Sequence, residues 1–360
     1  MPDSAAPLHE QTRVFRAEQP LALESGESLA NVTLAYRTWG RLNAAADNVV
    51  LICHALTGSA DADSWWPGLI GEGGALDPTR DFIVCSNVLA GCYGSAGPYT
   101  RIDDDTGWRY GLRFPKISVR DMVAAQRLLL ESLGVRRMSL VLGPSLGGMQ
   151  TLEWAAMYPE WVQAIAPIGT SARHSAWCIG ISEAQRAAIA TDPNWQEGRY
   201  GDDRRPEQGL AAARMMAMVS YRSFENFEQR FAREMQDDAT FSIQSYLRYK
   251  GQKLVDRFDA ASYYRLTQAM DTHDVGRGRE GTETTLQRIQ CPALVVSVTS
   301  DVLYPPAEQR FIAKHLPQAT FRELASEHGH DGFLIDTDEL ATMLKHFRTG
   351  GLAPLSSCAV

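Results

Sequence analysis

A chain of 360 residues with 44% hydrophobic and 22% charged side chains has the makeup of a globular protein long enough to bury a large core. Its formal net charge of −8 argues against a nucleic-acid surface, which needs clustered Lys and Arg, and Arg136-Arg137 and Arg204-Arg205 are only pairs. There is no apolar run of the roughly 18 residues needed to cross a membrane, and the start MPDSAAPLHEQTRVF lacks the layout of a secretion signal, so a cytoplasmic location is expected.

Along the chain, short apolar runs recur at 48–52 (NVVLI), 82–85 (FIVC), 139–142 (SLVL), 164–168 (AIAPI) and 293–298 (ALVVSV). Runs of this length without alternation fit strands buried on both faces of a parallel sheet. Between them lie helical patterns. In SVRDMVAAQRLLLESL (118–133), Val119, Met122, Val123, Leu128 and Leu129 form one stripe behind a Ser118/Asp121 capping-box start. Alternating strands and helices predict an α/β fold with a mostly parallel sheet. The alternation stops between about 176 and 290, where helical periodicity continues without a buried strand. An inserted helical region, 176–290, is therefore expected between two parts of one core, 1–175 and 291–360. The ends, near 1–10 and 350–360, read as frayed.

Six cysteines (Cys53, Cys85, Cys92, Cys178, Cys291 and Cys358) show no CxxC or Cys/His spacing, so they read as reduced thiols, with no metal site or disulfide framework. Cys53, Cys85 and Cys291 lie in or beside the apolar runs, where cysteine serves as a small core hydrophobe.

The segment VLGPSLGGMQ (141–150) places Gly143-x-Ser145-x-Gly147 between a strand and a helix. That arrangement is a nucleophile elbow, with the serine hydroxyl raised at a helix N-terminus that favours developing negative charge. A serine needs a base held by a carboxylate, and in this fold the order along the chain is Ser, acid, His. Asp301 follows directly on the 293–298 strand. Of the later histidines, His315 and His346 fall in helical patterns, whereas His328 and His330 share the loop EHGHDGF, and composition does not choose between those two. The oxyanion donors are assigned to the N–H of Leu146, after the nucleophile, and that of Leu56, in HALTG (54–58) after an earlier strand. His54 is assigned a structural role.

Together, HALTG (54–58), CSNVLAGCYGSAGP (85–98), GPSLGGMQTLEWA (143–155), GLAAARM (209–215), SYLRYKGQKLVDRFDAASYYRLTQAMD (245–271), SDVLYPP (300–306) and GHDGFL (329–334) resemble the homoserine O-acetyltransferase family, in family order over nearly the whole chain. The resemblance implies an α/β-hydrolase fold with a helical lid, homodimerisation, and no cofactor beyond acetyl-CoA as a substrate. It also implies a triad of Ser145, Asp301 and His330, and so selects His330 over His328. Arg214 matches the family's carboxylate-binding arginine and Asp331 its ammonium-binding aspartate, as a zwitterionic acceptor requires. Succinyl-using relatives tend to carry an arginine two residues after the triad aspartate; here that position is Leu303, which favours acetyl-CoA. L-homoserine is the expected acceptor, with L-serine one methylene away. Pro144 and Gly332 depart from the residues usual at their positions. An esterase using the same triad is the alternative of a different class.

Overall fold

A computed structural model of the protein describes residues 2–102 and 107–350. Its main sheet has eight strands: β1 (Arg13–Arg16), β4 (Thr33–Trp39), β5 (Val49–Ile52), β6 (Phe82–Ser86), β7 (Met138–Pro144), β8 (Ile165–Ile168), β9 (Ala293–Val298) and β10 (Ala319–Leu324). Two short strands, β2 (Leu21–Ala22) and β3 (Ser28–Leu29), pair separately. The order across the sheet is β1-β4-β6-β5-β7-β8-β9-β10. β1 and β4 run antiparallel to their neighbours, and every pairing from β6 to β10 is parallel.

Burial explains the apolar runs. Val49, Leu51, Val84, Val141 and Val295 point into one core, and Val50, Ile52, Ile83, Leu140, Leu142, Val296 and Val298 into a second on the opposite face. A strand buried on both sides needs apolar residues at every position.

The helices are α1 (Ala62–Trp65), α2 (Val119–Ser132), α3 (Leu146–Met157), α4 (Ala176–Ala190), α5 (Glu207–Tyr221), α6 (Phe224–Arg230), α7 (Ser242–Val255), α8 (Ala260–Asp271), α9 (Thr282–Arg288), α10 (Pro306–His315), α11 (Gly332–Ile335) and α12 (Thr337–Arg348). α2 starts with the expected capping box: Ser118 Oγ accepts from the Asp121 N–H, and Asp121 Oδ2 accepts from the Ser118 N–H at 2.7 Å. The second oxygen of Asp121 takes the Glu24 N–H at 2.8 Å, so the same carboxylate also anchors the β2–β3 hairpin. None of the described helices is long and apolar enough to cross a membrane.

From α4 to α9 the described chain contains helices and isolated bridges but no named strand. This stretch enters after β8 and leaves before β9, which are neighbours in the sheet. α4, α5, α7 and α8 pack on one another, while α9 returns to lie against α3 and α10 of the core.

Two features differ from expectation. The N-terminal segment is not frayed: the Ala5 N–H donates to the Cys92 carbonyl at 2.8 Å, and Ser4 bridges Tyr93. Backbone pairing to a buried loop holds it where composition shows no reason for order. The antiparallel strands β1 and β4 also carry no continuous apolar run, because β1 (RVFR) is only partly buried and mixes charge with hydrophobicity. Cys53, Cys85, Cys92 and Cys178 are buried, unpaired thiols and Cys291 a half-buried one, whereas Cys358 and the expected frayed stretch 351–360 lie outside the described residues.

Candidate active site

β7 ends at Pro144 and α3 begins at Leu146, leaving Ser145 alone in the turn at φ 55° and ψ −121°. This is a conformation that residues with a side chain rarely adopt, so the surroundings must hold it. The Ser145 N–H donates to the Ile168 carbonyl at 2.9 Å, and the Ser145 carbonyl accepts from Thr170 Oγ1 at 2.8 Å and from the Gly148 N–H at 2.9 Å. The neighbouring glycines are required by space. A Cβ on Gly143 or Gly147 would run into the Cys53 carbonyl, and one on Gly148 would come within 2.6 Å of the Thr170 side chain. Pro144 fits for a related reason. Val141 and Ser145 direct their N–H groups toward β8, so alternation turns position 144 toward β5, whose last strand residue is Ile52. The donor that proline lacks would fall where that ladder ends.

Asp301 follows β9 and His330 follows β10, so with Ser145 after β7 all three lie beyond the carboxyl ends of parallel strands. Both are buried. Asp301 Oδ1 accepts from the N–H groups of Leu303 at 2.8 Å and Tyr304 at 2.9 Å, and Oδ2 lies 2.6 Å from His330 Nδ1. Nδ1–H is thereby committed to the carboxylate, which leaves Nε2 as the nitrogen able to take a proton. Around the imidazole stand Phe333, Tyr304 and Tyr221, with ring centroids 5.0, 5.3 and 5.5 Å away. His328 instead meets Asn226 Nδ2 at 3.1 Å through its Nδ1, so the geometry separates the two candidate histidines. The Ser145 hydroxyl makes no hydrogen bond among the described residues; contacts of this kind commonly tighten as substrate enters.

The N–H groups of Leu56 and Leu146, the expected oxyanion donors, likewise have no partner among the described residues. The loop carrying Leu56 is pinned from three directions. His54 Nε2 accepts the Val88 N–H at 3.0 Å, which leaves Nδ1–H to donate to the Ala55 carbonyl at 2.8 Å. The same carbonyl takes the Gly58 N–H at 2.9 Å. Arg257, from the segment after α7, donates to the Thr57 carbonyl at 2.9 Å and to Tyr93 Oη at 2.5 Å. The structural role expected of His54 is what these bonds describe.

Arg214 lies on α5 with its guanidinium 5.3 Å from the centre of the Tyr221 ring, which also neighbours His330. Its Nη1 is buried and without a partner among the described residues. Asp331 Oδ2 is 3.0 Å from Nη2 of Arg222, a residue that sequence reasoning did not single out. Leu303 is buried and borders a cavity of about 20 Å³ with Leu56, Cys178, Tyr221 and Met270. A cavity of about 390 Å³ is bordered by Ala55, Thr57, Tyr93, Arg214, Arg257 and Leu334. A larger one, about 620 Å³, touches neither the triad nor these arginines. Tyr221, Arg222 and Arg257 were legible only as members of the helical stretch, since nothing in their spacing marks them.

A family profile for the α/β hydrolase fold matches residues 48–337. The homoserine O-acetyltransferase of Chlorobaculum parvum is 54% identical over 341 residues, covering 95% of this chain and 96% of that protein. That of Trichormus variabilis is 56% identical and covers 95% of each. The chain belongs to the homoserine O-acetyltransferase family. Among solved structures, the homoserine O-acetyltransferase from Bacillus anthracis superposes with a TM-score of 0.88 at 25% identity, over 96% of this chain and 99% of that one. Esterase E22 superposes with a TM-score of 0.87 at 28% identity, over 94% and 99%.

Burial also sets a pH dependence of stability. It pushes His54 and His174 down to about 4, and His273 down to about 3. The unfolded chain takes up these protons near pH 6.5, while the folded chain stays neutral until much lower pH. Between about pH 6.5 and 4 the unfolded state therefore binds more protons, and stability falls as pH falls. Urea titrations across this window should show the free energy of unfolding dropping below about pH 6.5, at up to about 1.4 kcal/mol per pH unit for each histidine. Stability unchanged from pH 7 to 4.5 would contradict this account.

Proposed function

We propose that the protein transfers an acetyl group from acetyl-CoA to the side-chain hydroxyl of L-homoserine, through an acetyl-serine at Ser145 and without a resident cofactor. The observation that carries this reading is Arg214, whose Nη1 has no hydrogen-bond partner among the described residues, sharing the Tyr221 ring with a His330 paired to Asp301. It sets a carboxylate receptor beside an acyl-transfer base. The relatives at 54% and 56% identity, named as homoserine O-acetyltransferases, support the same activity.

In this mechanism His330 Nε2 takes the Ser145 proton as Oγ attacks the thioester carbonyl. The tetrahedral oxyanion rests on the Leu56 and Leu146 N–H groups, and CoA leaves as a thiol with the proton from His330. Homoserine then enters, its carboxylate on Arg214 and its ammonium on Asp331. His330 takes its hydroxyl proton, the oxygen attacks the acetyl-serine, and the proton returns to Ser145 as O-acetyl-homoserine departs. The helices of 176–290 act as a lid over the core of 1–175 and 291–360, keeping water from the acyl-enzyme. Leu303 offers no cation to a succinyl carboxylate, which supports the acetyl donor. The assembly we propose is a cytoplasmic homodimer, supported by the exposed Met216, Val219, Phe224 and Tyr249 on α5, α6 and α7.

The esterase with a TM-score of 0.87 favours a second reading, hydrolysis by the same triad. Arg214 and Asp331 weigh against it, because an ester hydrolase has no need for a zwitterion receptor.

Purified protein incubated with acetyl-CoA or succinyl-CoA against homoserine, serine and water separates these readings. Acetyl-CoA with homoserine should give the fastest turnover. CoA release indifferent to the acceptor would mean hydrolysis, and a faster rate with serine would reassign the acceptor. Ser145→Ala should lower turnover by on the order of 10³ or more, whereas His328→Ala should keep most of it; a comparable loss in His328→Ala would overturn the choice of His330. Arg214→Lys should raise KM for homoserine about tenfold, because an ammonium cannot reproduce a bidentate fork, and an unchanged KM would remove Arg214 from the acceptor site. Sedimentation at twice the chain mass would bear out the homodimer, and at the chain mass would refute it.

A further inference from the structure

The proposed reading assigns the acceptor's ammonium to Asp331 but leaves open what makes that carboxylate a receptor. In the structure its charged partner is Arg222, the residue that closes α5, with Nη2 at 3.0 Å from Oδ2. Both side chains are largely buried, so the pair is only weakly screened by water. Oδ1 of Asp331 has no hydrogen-bond partner among the described residues.

The backbone beneath the pair is fixed on both sides. Gly329 sits at φ 65°, and a Cβ there would come within 2.7 Å of the Arg222 carbonyl carbon and the Ser223 nitrogen, so the two chains touch backbone to backbone. Ser223 Oγ donates to the Glu327 carbonyl at 2.6 Å, and Asn226 meets His328 at 3.1 Å. The end of α5 and the histidine loop are thus held as one surface, and the Arg222 guanidinium reaches Asp331 from a set position. Two other cations are near: Arg222 and Arg214 both push the Lys250 ammonium down while Asp331 pulls it up, with burial the largest cause of its lowering. Asp331 therefore stands among several positive groups, and only one of them, Arg222, holds it in a direct ion pair among the described residues.

We infer that Arg222 is a positioning residue for amino-acid recognition: it binds Asp331 through Oδ2 and leaves Oδ1 for the ammonium of the acceptor. This rests on the proposed function, in which Asp331 receives that ammonium. Arg222 restrains the carboxylate against rotation and keeps it from turning toward Lys250. Because Arg222 belongs to the helical stretch, the ammonium site is complete only when that stretch is docked on the histidine loop.

The test compares acceptors that differ only in the ammonium. Homoserine and 4-hydroxybutyrate, the same molecule without its amino group, are measured by kcat/KM with acetyl-CoA for the wild type, Arg222→Met, Arg222→Lys and Asp331→Asn. The size of the CoA burst counts working sites and normalises each rate. In the wild type the ratio of the two values reads the ammonium's contribution, and Asp331→Asn reads the ratio without its charged receptor. In Arg222→Met the ratio should fall by roughly tenfold toward that of Asp331→Asn. Arg222→Lys should recover part of it, since a lysine keeps the charge but not the rigid planar group that holds it in place. An equal loss on both acceptors, leaving the ratio unchanged, would reduce Arg222 to a structural prop and overturn the inference. A larger ratio in Arg222→Met would also overturn it, by showing that Arg222 competes with the ammonium. A wild type that does not use homoserine would instead sink the proposed function, an outcome read before any variant is made.

Discussion

Where Gly147 passes the Cys53 carbonyl there is no space for even a methyl group. That contact sets how closely the start of α3 approaches the end of β5. It brings together the two N–H groups that share the oxyanion role in the proposed mechanism, one from the residue after Ser145 and one from the loop after Cys53. On the other side Gly148 packs on Thr170, whose hydroxyl bonds the Ser145 carbonyl. The serine's unfavourable backbone conformation is thus spread over bonds to Ile168, Thr170 and the first turn of α3. Any side chain added at these glycines would widen the gap and separate the groups that meet there.

The electrostatic arrangement runs against the chain as a whole. A net charge of −8 would repel, at long range, both the anionic thioester and the acceptor carboxylate of the proposed reaction. Yet Arg214 and Arg257 border the same cavity beside the oxyanion loop, and Arg222 and Lys250 stand close by with Asp331 as the countercharge. Four cations against Asp61 and Asp331 leave a local excess of positive charge near that cavity, where the proposed reaction would bring its anionic substrates. Asp301 and His330 are buried, and the imidazole lies among aromatic rings, one of which, Tyr221, also neighbours Arg214.

Much of this was legible in the sequence, for identifiable reasons. Strands buried on both faces announce themselves as apolar runs, and the glycines of the elbow are forced by sterics. Ser118 and Asp121 name their own helix start. The antiparallel strands were hidden because RVFR and TLAYRTW mix polar with apolar residues, and the order of the N-terminus depends on backbone bonds to distant loops. His328 and His330 could not be separated by pattern, since both lie two residues apart in one loop. The family resemblance selects His330, and the positions of Asp301 and Asn226 separate the two in space. Arg222 was invisible for a related reason: its partner is more than a hundred positions away, and SYRS looks like any polar helix end.

The contact between Gly329 and the Arg222 backbone, with Ser223 and Asn226 beside it, has a further consequence. The loop presenting the base is also anchored on the core side: by the Asp301 bond, by Ser300 Oγ, which accepts the Gly329 N–H at 2.9 Å and donates to the Ser326 carbonyl at 2.6 Å, and by Trp66, whose Nε1–H donates to the Phe333 carbonyl at 2.8 Å. Moving the helical stretch away would remove the Gly329, Ser223 and Asn226 contacts and leave the core-side ones in place. In the proposed mechanism, a substitution at the end of α5 would then reach the imidazole through the backbone, without touching any of the three triad side chains.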